Sequence, residues 1–243
     1  MTAYNEAGTL EDTVREIERA SEGRFADWEI VIVDDASKDA TPRIADELPK
    51  KHPRCRIFHN ETNLNLGGAY KRGVREARME YVAWLPGDNA VPADLIQNIT
   101  SRIGEADMVL SYLKDYKFRS FTRYLISRSY TISLNLLFGN RLRYYNGMSI
   151  FRRDALAQIE IKTNSFACFA EALIRLLRLK FTYVEEPYCS PQNRQGKSTA
   201  LRMRNVIQVV STILRLFWEV RICRLKPIVQ NAEKKPLPVS KSA

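Results

Sequence analysis

The stretch Trp28-Glu29-Ile30-Val31-Ile32-Val33-Asp34-Asp35 decides the fold. Its Ile-Val-Ile-Val centre shows no polar alternation, so both faces must be buried, as in a parallel strand covered by helices on either side. The two carboxylates at its end mark where the strand leaves the core. Upstream, Thr9 followed by Leu10, Val14 and Ile17 at helical spacing predicts a capped amphipathic helix. Downstream, Thr41-Pro42 opens a helix with proline in its first turn and Ile44, Ala45 and Leu48 behind it. Strands are predicted at 55–59, 81–85 and 106–112, with helices at 67–78 and 92–103 between them. This alternation specifies an α/β chain: an open, mostly parallel sheet with helices on both faces. Ligands bind such sheets beyond the carboxyl ends of the strands. Asp34-Asp35 and Pro86-Gly87-Asp88-Asn89 both stand there.

The pattern changes after Tyr112. Residues 114–128 carry Lys114, Lys117, Arg119, Arg123 and Arg128 against one acid, Asp115, and lead into an amphipathic helix ending near Phe138. A turn at Tyr145-Asn146-Gly147, a helix over 165–178, a strand over 181–187 and a polar loop over 188–198 follow. Residues 199–222 read as a long helix with a polar stripe of Arg204, Gln208, Ser211, Arg215 and Glu219 on an otherwise apolar surface. One domain is expected over 1–225: a nucleotide-binding half at 1–112, an acceptor half at 113–198 and an amphipathic helix at 199–225. Residues 226–243 have the composition of a flexible tail.

At 243 residues and 45% hydrophobic content, the chain can bury one sizeable core and is too apolar for a disordered polymer. It holds no uncharged apolar run of about 18 residues, the length a membrane-crossing helix needs. The first six residues lack the basic start and apolar run of a signal peptide. Cys55, Cys168, Cys189 and Cys223 are widely spaced and only His52 and His59 accompany them, which argues against a zinc site and for a reducing compartment. A net charge of +10 favours polyanionic partners: nucleic acid, an anionic membrane or a phosphorylated ligand. The expected location is cytoplasmic, with peripheral contact at the cytoplasmic face of a membrane.

Each local motif admits two readings. Asp34-Asp35-Ala36-Ser37 either offers a carboxylate to a nucleobase NH or makes an Asx turn toward Thr41. Asp88 either binds Mg²⁺ or Mn²⁺, hard cations that take oxygen ligands, or belongs to a simple turn. Gly67-Gly68 at a helix start either presents backbone NH groups to an anion or permits close packing. Arg194-Gln195-Gly196-Lys197-Ser198 is a phosphate clamp or a solvated loop.

Together these pieces are less independent. Tyr4-Asn5-Glu6, Asp34 through Asp39, Asn63 through Gly68, Gly87-Asp88 and Arg194 through Ser198 follow the order and spacing of family 2 glycosyltransferases. Over roughly residues 3–200 the chain resembles the dolichyl- and polyprenyl-phosphate mannose or glucose synthases. The resemblance implies a GT-A fold and inverting transfer of a sugar from a nucleotide-diphosphate donor to a lipid phosphate. It implies that Tyr4, Asn5, Glu6, Asp34, Asp35 and Gly67 form the nucleotide site, with Asp35 reading the base, and that Asp88 binds the metal. It puts Arg123, Arg128, Arg194, Lys197 and Ser198 where acceptor or diphosphate charge is handled. The family's Asp-x-Asp carries Pro86 at its first position here. Its acceptor segment reads Arg143-Tyr144-Tyr145-Asn146-Gly147-Met148-Ser149, with Arg143 for the acid and Ser149 for the arginine.

A lipid phosphate is already an anion and needs only cationic positioning, whereas a sugar hydroxyl needs a carboxylate base. Glu171 falls where the resemblance has an acid and is the candidate base, or else a helix-surface glutamate. The alternatives are a transferase acting on a saccharide hydroxyl and a non-catalytic nucleotide-sugar binder. A nucleic-acid protein is disfavoured, because no RNP-like, zinc or basic-helix pattern accompanies the charge. In the family an apolar strand precedes Tyr-Asn-Glu. Met1-Thr2-Ala3 occupies that place, so the first strand is expected to be missing, through truncation or a start codon assigned too late.

Overall fold

The computed structural model describes residues 1–91, 93–115, 121–189 and 203–223. β2 (Ile30–Asp34) is buried at all five positions. Ile30 and Ile32 join the cluster containing Leu10, Val14 and Leu48, while Val31 and Val33 pack with Ala69 on the opposite face. Successive side chains of a strand point to opposite faces, so an unbroken β-branched run is what a doubly covered strand requires.

β3 (Cys55–His59) and β1 (Thr2–Ala3) flank β2, both parallel to it. A second sheet has the order β4 (Tyr81–Ala83), β6 (Ser149–Arg152), β5 (Met108–Asp115), β7 (Tyr183–Cys189). β6 runs antiparallel to both neighbours, and β5 and β7 are parallel. β6 was not anticipated, being only four residues long and fully buried beside the Gly147 turn. The first strand, expected to be missing, is present as the two-residue β1. It is bonded on both sides: Asp35 N donates to Ala3 O at 2.9 Å, and Thr2 N to Leu85 O at 3.3 Å. A parallel bridge between Thr2 and Pro86 joins the two sheets. Trp84 Nε1 donates to Thr2 Oγ1 at 3.1 Å across this seam, and the Trp84 ring lies 4.6 Å from that of Phe169. Below Met1 the strands β2 and β4 part around an apolar slot of about 540 Å³, lined by Trp28, Ile30, Val31, Tyr70 and Tyr81 among others.

α1 (Leu10–Ser21), α2 (Thr41–Lys51) and α4 (Ala93–Thr100) contribute to the core around Ile30 and Ile32. α3 (Asn65–Glu76) covers the other face through Ala69. The second core gathers α5 (Phe121–Phe138), the short α6 (Arg153–Leu156), α7 (Cys168–Arg178) and α8 (Met203–Phe217) around Phe151 and Tyr145. α8 continues into a π-helical turn at Trp218–Ile222. α5 is less amphipathic than expected: Leu134 and Phe138 are buried, but Leu125, Ile126, Ile132 and Leu136 are exposed. α8 also departs from expectation. Thr212, Arg215 and Glu219 hydrogen-bond to Thr163, Glu171 and Arg175, while Ile207, Val210, Leu214 and Trp218 are exposed. No helix among the described residues is long and apolar enough to cross a membrane.

Candidate active site

The ends of β1, β2 and β4 bring three loops together. Asn5, in the left-handed region at φ 57°, turns the chain after β1. Asn5 N donates to Ser37 Oγ at 2.9 Å, and Lys38 N returns a bond to Asn5 Oδ1 at 2.8 Å. Glu6 N donates to Thr41 Oγ1 at 2.8 Å. This lacing leaves the Tyr4 ring 44% exposed, where it can meet a flat ligand.

Asp34 and Asp35, adjacent in sequence, divide the work. Asp34 is buried and both oxygens are engaged: Oδ1 accepts Ser37 N at 3.2 Å and Oδ2 faces His59 Nδ1 at 2.9 Å. Its expected place in the nucleotide site is therefore behind the loop rather than on its surface. Asp35 Oδ1 accepts Asn60 Nδ2 at 2.7 Å and Leu64 N at 2.8 Å. Among the described residues Asp35 Oδ2 receives no hydrogen bond, which leaves one acceptor for a ligand NH.

The Gly87–Asn89 turn is held from α1. Gly87 O accepts Thr9 Oγ1 at 2.9 Å and Thr13 Oγ1 at 3.1 Å, while Asn89 N donates to Thr13 Oγ1 at 2.9 Å. Thr9 was expected to cap α1, but it makes no side-chain cap bond because its hydroxyl serves this turn and Glu6 Oε2, at 3.1 Å. Thr13 was missed, since a buried threonine on a helix carries no sequence signal of what it holds. Burial, with the charges of Asp88 and Asp39 adding to it, holds the Glu6 carboxyl above the usual carboxylate range. A cation would relieve that repulsion, so the donor set fits a divalent ion. Among the described residues no group of three or more His, Cys, Asp or Glu side chains is gathered to hold one alone. Asp88 would have to share it with oxygens of the ligand.

Two expectations are corrected by packing. Gly67 N donates to Asn164 O at 2.9 Å, and a Cβ on Gly67 would lie 2.8 Å from the Asn164 backbone and from Thr163 O. The glycine permits this contact, and its NH does not face an anion. Glu171, the candidate base, is wholly buried. Its oxygens accept Thr163 N at 2.9 Å, Arg175 Nη2 at 2.7 Å and Arg215 Nη2 at 3.2 Å. It ties α7 and α8 to the loop that abuts Gly67, and in that setting it has no lone pair directed at a substrate. Arg128 is exposed on α5. Arg123 lies on α5 with its side chain outside the described set, and Arg194, Lys197 and Ser198 fall outside the described residues.

Three loops at strand carboxyl ends thus bring together one exposed ring, one spare carboxylate oxygen and one solvent-facing Asp. The family model "Glycosyl transferase family 2" matches residues 1–160, and the chain belongs to that family. It is 28% identical to the glycosyltransferase AglD of Haloferax volcanii over 91% of this chain and 37% of that one. It is 28% identical to a dolichol-phosphate mannosyltransferase of Pyrococcus furiosus over 91% of this chain and 64% of that one. The chain thus spans well under two thirds of the first relative and just under that share of the second. Among solved structures, glucosyl-3-phosphoglycerate synthase of Mycobacterium tuberculosis in complex with Mn²⁺, UDP and glucosyl-3-phosphoglycerate superposes with a TM-score of 0.65. That match has 16% identity and covers 88% of this chain and 77% of the other, which speaks for a shared fold.

Proposed function

We propose that this chain moves a sugar, with inversion, from a nucleotide-diphosphate sugar to a polyprenyl or dolichyl phosphate. The observation that carries the choice of acceptor is the sequestration of Glu171 between Arg175 and Arg215. A hydroxyl acceptor needs a carboxylate within reach of its proton, and the candidate for that duty is spent on structure. A phosphate monoester is a ready anionic nucleophile. The dolichol-phosphate mannosyltransferase among the relatives supports the same reading.

In this reading Tyr4 packs on the base, Asp35 Oδ2 accepts a base NH, and Asn5 and Glu6 shape the rim. Asp88 would hold Mg²⁺ or Mn²⁺ together with the donor diphosphate, and the ion would neutralise charge on the departing nucleotide diphosphate. Pro86 removes one carboxylate from the usual pair, so the pocket relies on the donor to complete the binding of the ion. Arg123, Arg128, Arg194, Lys197 and Ser198 supply positive charge and hydrogen bonds for the acceptor phosphate. The exposed Ile207, Val210, Leu214 and Trp218 edge of α8 gives the chain a peripheral contact with the cytoplasmic face of a membrane. The nucleotide half then corresponds to residues 1–112 and the acceptor half begins at 113.

The deciding experiment incubates the protein and Mg²⁺ or Mn²⁺ with labelled UDP- and GDP-sugars, offering undecaprenyl phosphate, dolichyl phosphate or free saccharides. A lipid-linked product of inverted anomeric configuration is expected. Transfer to saccharides alone would favour the hydroxyl acceptor, and nucleotide-sugar binding without transfer or hydrolysis would favour a non-catalytic binder.

A further inference from the structure

His59 closes β3, where the parallel register sets it beside Asp34. Its Nδ1 lies 2.9 Å from Asp34 Oδ2 and its Nε2 lies 3.1 Å from Asp46 Oδ1 on α2. A neutral imidazole has one N–H, so it would turn a lone pair toward one of these carboxylates; only the imidazolium satisfies both. Arg72 on α3 also stands at this corner, and Asp35 meets it through Asn60, whose Nδ2 donates to Asp35 Oδ1 at 2.7 Å. The Arg72 guanidinium donates to the His59 carbonyl and, at 2.7 Å, to Asn60 Oδ1, and not to the Asp34 or Asp46 carboxylate.

From the His59 ring a chain of bonds runs into the pocket. Asp34 Oδ1 accepts Ser37 N, Ser37 Oγ accepts Asn5 N, and Asn5 Oδ1 accepts Lys38 N. Both Asn5 and Ala36 sit in the left-handed region, at φ 57° and 58°. Non-glycine residues hold that conformation only where their surroundings impose it.

We propose that His59 is a positioning residue of the nucleotide pocket: as an imidazolium clamped between Asp34 and Asp46, it fixes the turn on which the Asn5 loop is seated. This rests on reading the pocket as a nucleotide site. The Asp34 hydrogen bond, with Asp46 adding to it, raises the His59 pKa above its ordinary value. The group is therefore charged more readily in the folded chain than in the unfolded one. Its contribution is fully present below the unfolded pKa and is lost as pH rises through the raised folded value. Above that value one carboxylate faces a lone pair, the Asp34 turn loosens, and nucleotide affinity falls by roughly tenfold, the scale of one charge-assisted hydrogen bond.

The chain has only two histidines, so His52→Gln leaves a single imidazole for NMR titration. We expect the His59 midpoint to lie above that of an ordinary imidazole and to fall in Asp46→Asn and in Asp34→Asn. The Asn5 and Ser37 amide signals should shift and exchange faster through the same midpoint. UDP and GDP binding should weaken across it in the wild type. In His59→Gln it should be weaker at low pH but flat with pH, and Asp46→Asn should move the transition downward. A midpoint no higher than that of an ordinary imidazole would overturn the proposal, as would Asn5 and Ser37 amides that ignore the midpoint. If neither UDP nor GDP binds at any pH while the amides follow His59, it is the nucleotide reading that fails and the positioning link that stands.

Discussion

Glu171→Gln removes one charge from a side chain that is wholly buried and leaves its shape nearly intact. The amide nitrogen must then face either Thr163 N–H or an arginine, setting donor against donor. Arg175, itself buried, keeps Glu219 Oε2 at 2.5 Å, and the partly exposed Arg215 can turn to water. Breaking a buried pair costs about 3–5 kcal/mol when the remaining charge is stranded, and the surviving Glu219 contact puts this case near 3 kcal/mol. For a domain of this size about 1 kcal/mol moves Tm by 2–4 °C, so a fall of roughly 6–12 °C is expected in a calorimetric or circular-dichroism melt. Sugar transfer, assayed well below the new Tm, should survive. A variant that melts within about 2 °C of the wild type yet has lost transfer would refute the reasoning and restore Glu171 as a base.

Asp88→Asn should abolish metal-dependent transfer while moving Tm by no more than about 1 °C, because the residue is exposed and an amide oxygen can keep the 3.2 Å bond from Ala90 N; activity that persists in excess EDTA would count against it. Thr13→Val keeps the β-branched shape but strands Asn89 N–H, and should cost about 1–2 kcal/mol in denaturant titration and raise the metal concentration needed for half-maximal activity. Gly67→Ala should destabilise by about 1–3 kcal/mol despite alanine's better helix propensity, since the atoms it meets are backbone; an unchanged denaturation midpoint would show that the 163–164 loop yields. Leu214→Glu with Trp218→Glu should abolish flotation with anionic liposomes without lowering Tm, because both side chains are exposed; equal flotation would place the contact elsewhere.

The parallel strands were legible because Ile30 through Val33 carry their burial in their composition, and the Pro42 and Asp35 boundaries follow from local backbone chemistry. That Asp35 and Asp88 stand beyond strand ends was legible from the topology rule, whereas the place of Tyr4 followed only from the family resemblance. What the sequence hides is direction. Arg215 and Glu219 on α8 read as a solvent-facing stripe because charge usually seeks water. They turn inward because Glu171 and Arg175, 44 residues away, offer partners there. Glycine is ambiguous in the same way. Gly67 before a helix reads equally as an anion cradle or a contact point, and only the backbone at Asn164 decides. β6 escaped notice because four residues are too few to show a period.

The seam between the sheets carries its own optical probe. Of three tryptophans, Trp28 lies under the Arg54 guanidinium and Trp218 is 62% exposed, so Phe substitutions at both leave Trp84 as the sole indole. Its N–H rests on Thr2, next to Ala3 and the Tyr4 loop, and its ring rests against Phe169 of α7. Emission from that one residue therefore reports the joint at which the Thr2–Ala3 strand meets the α7 helix. A spectral change on adding nucleotide would be a signal from that seam.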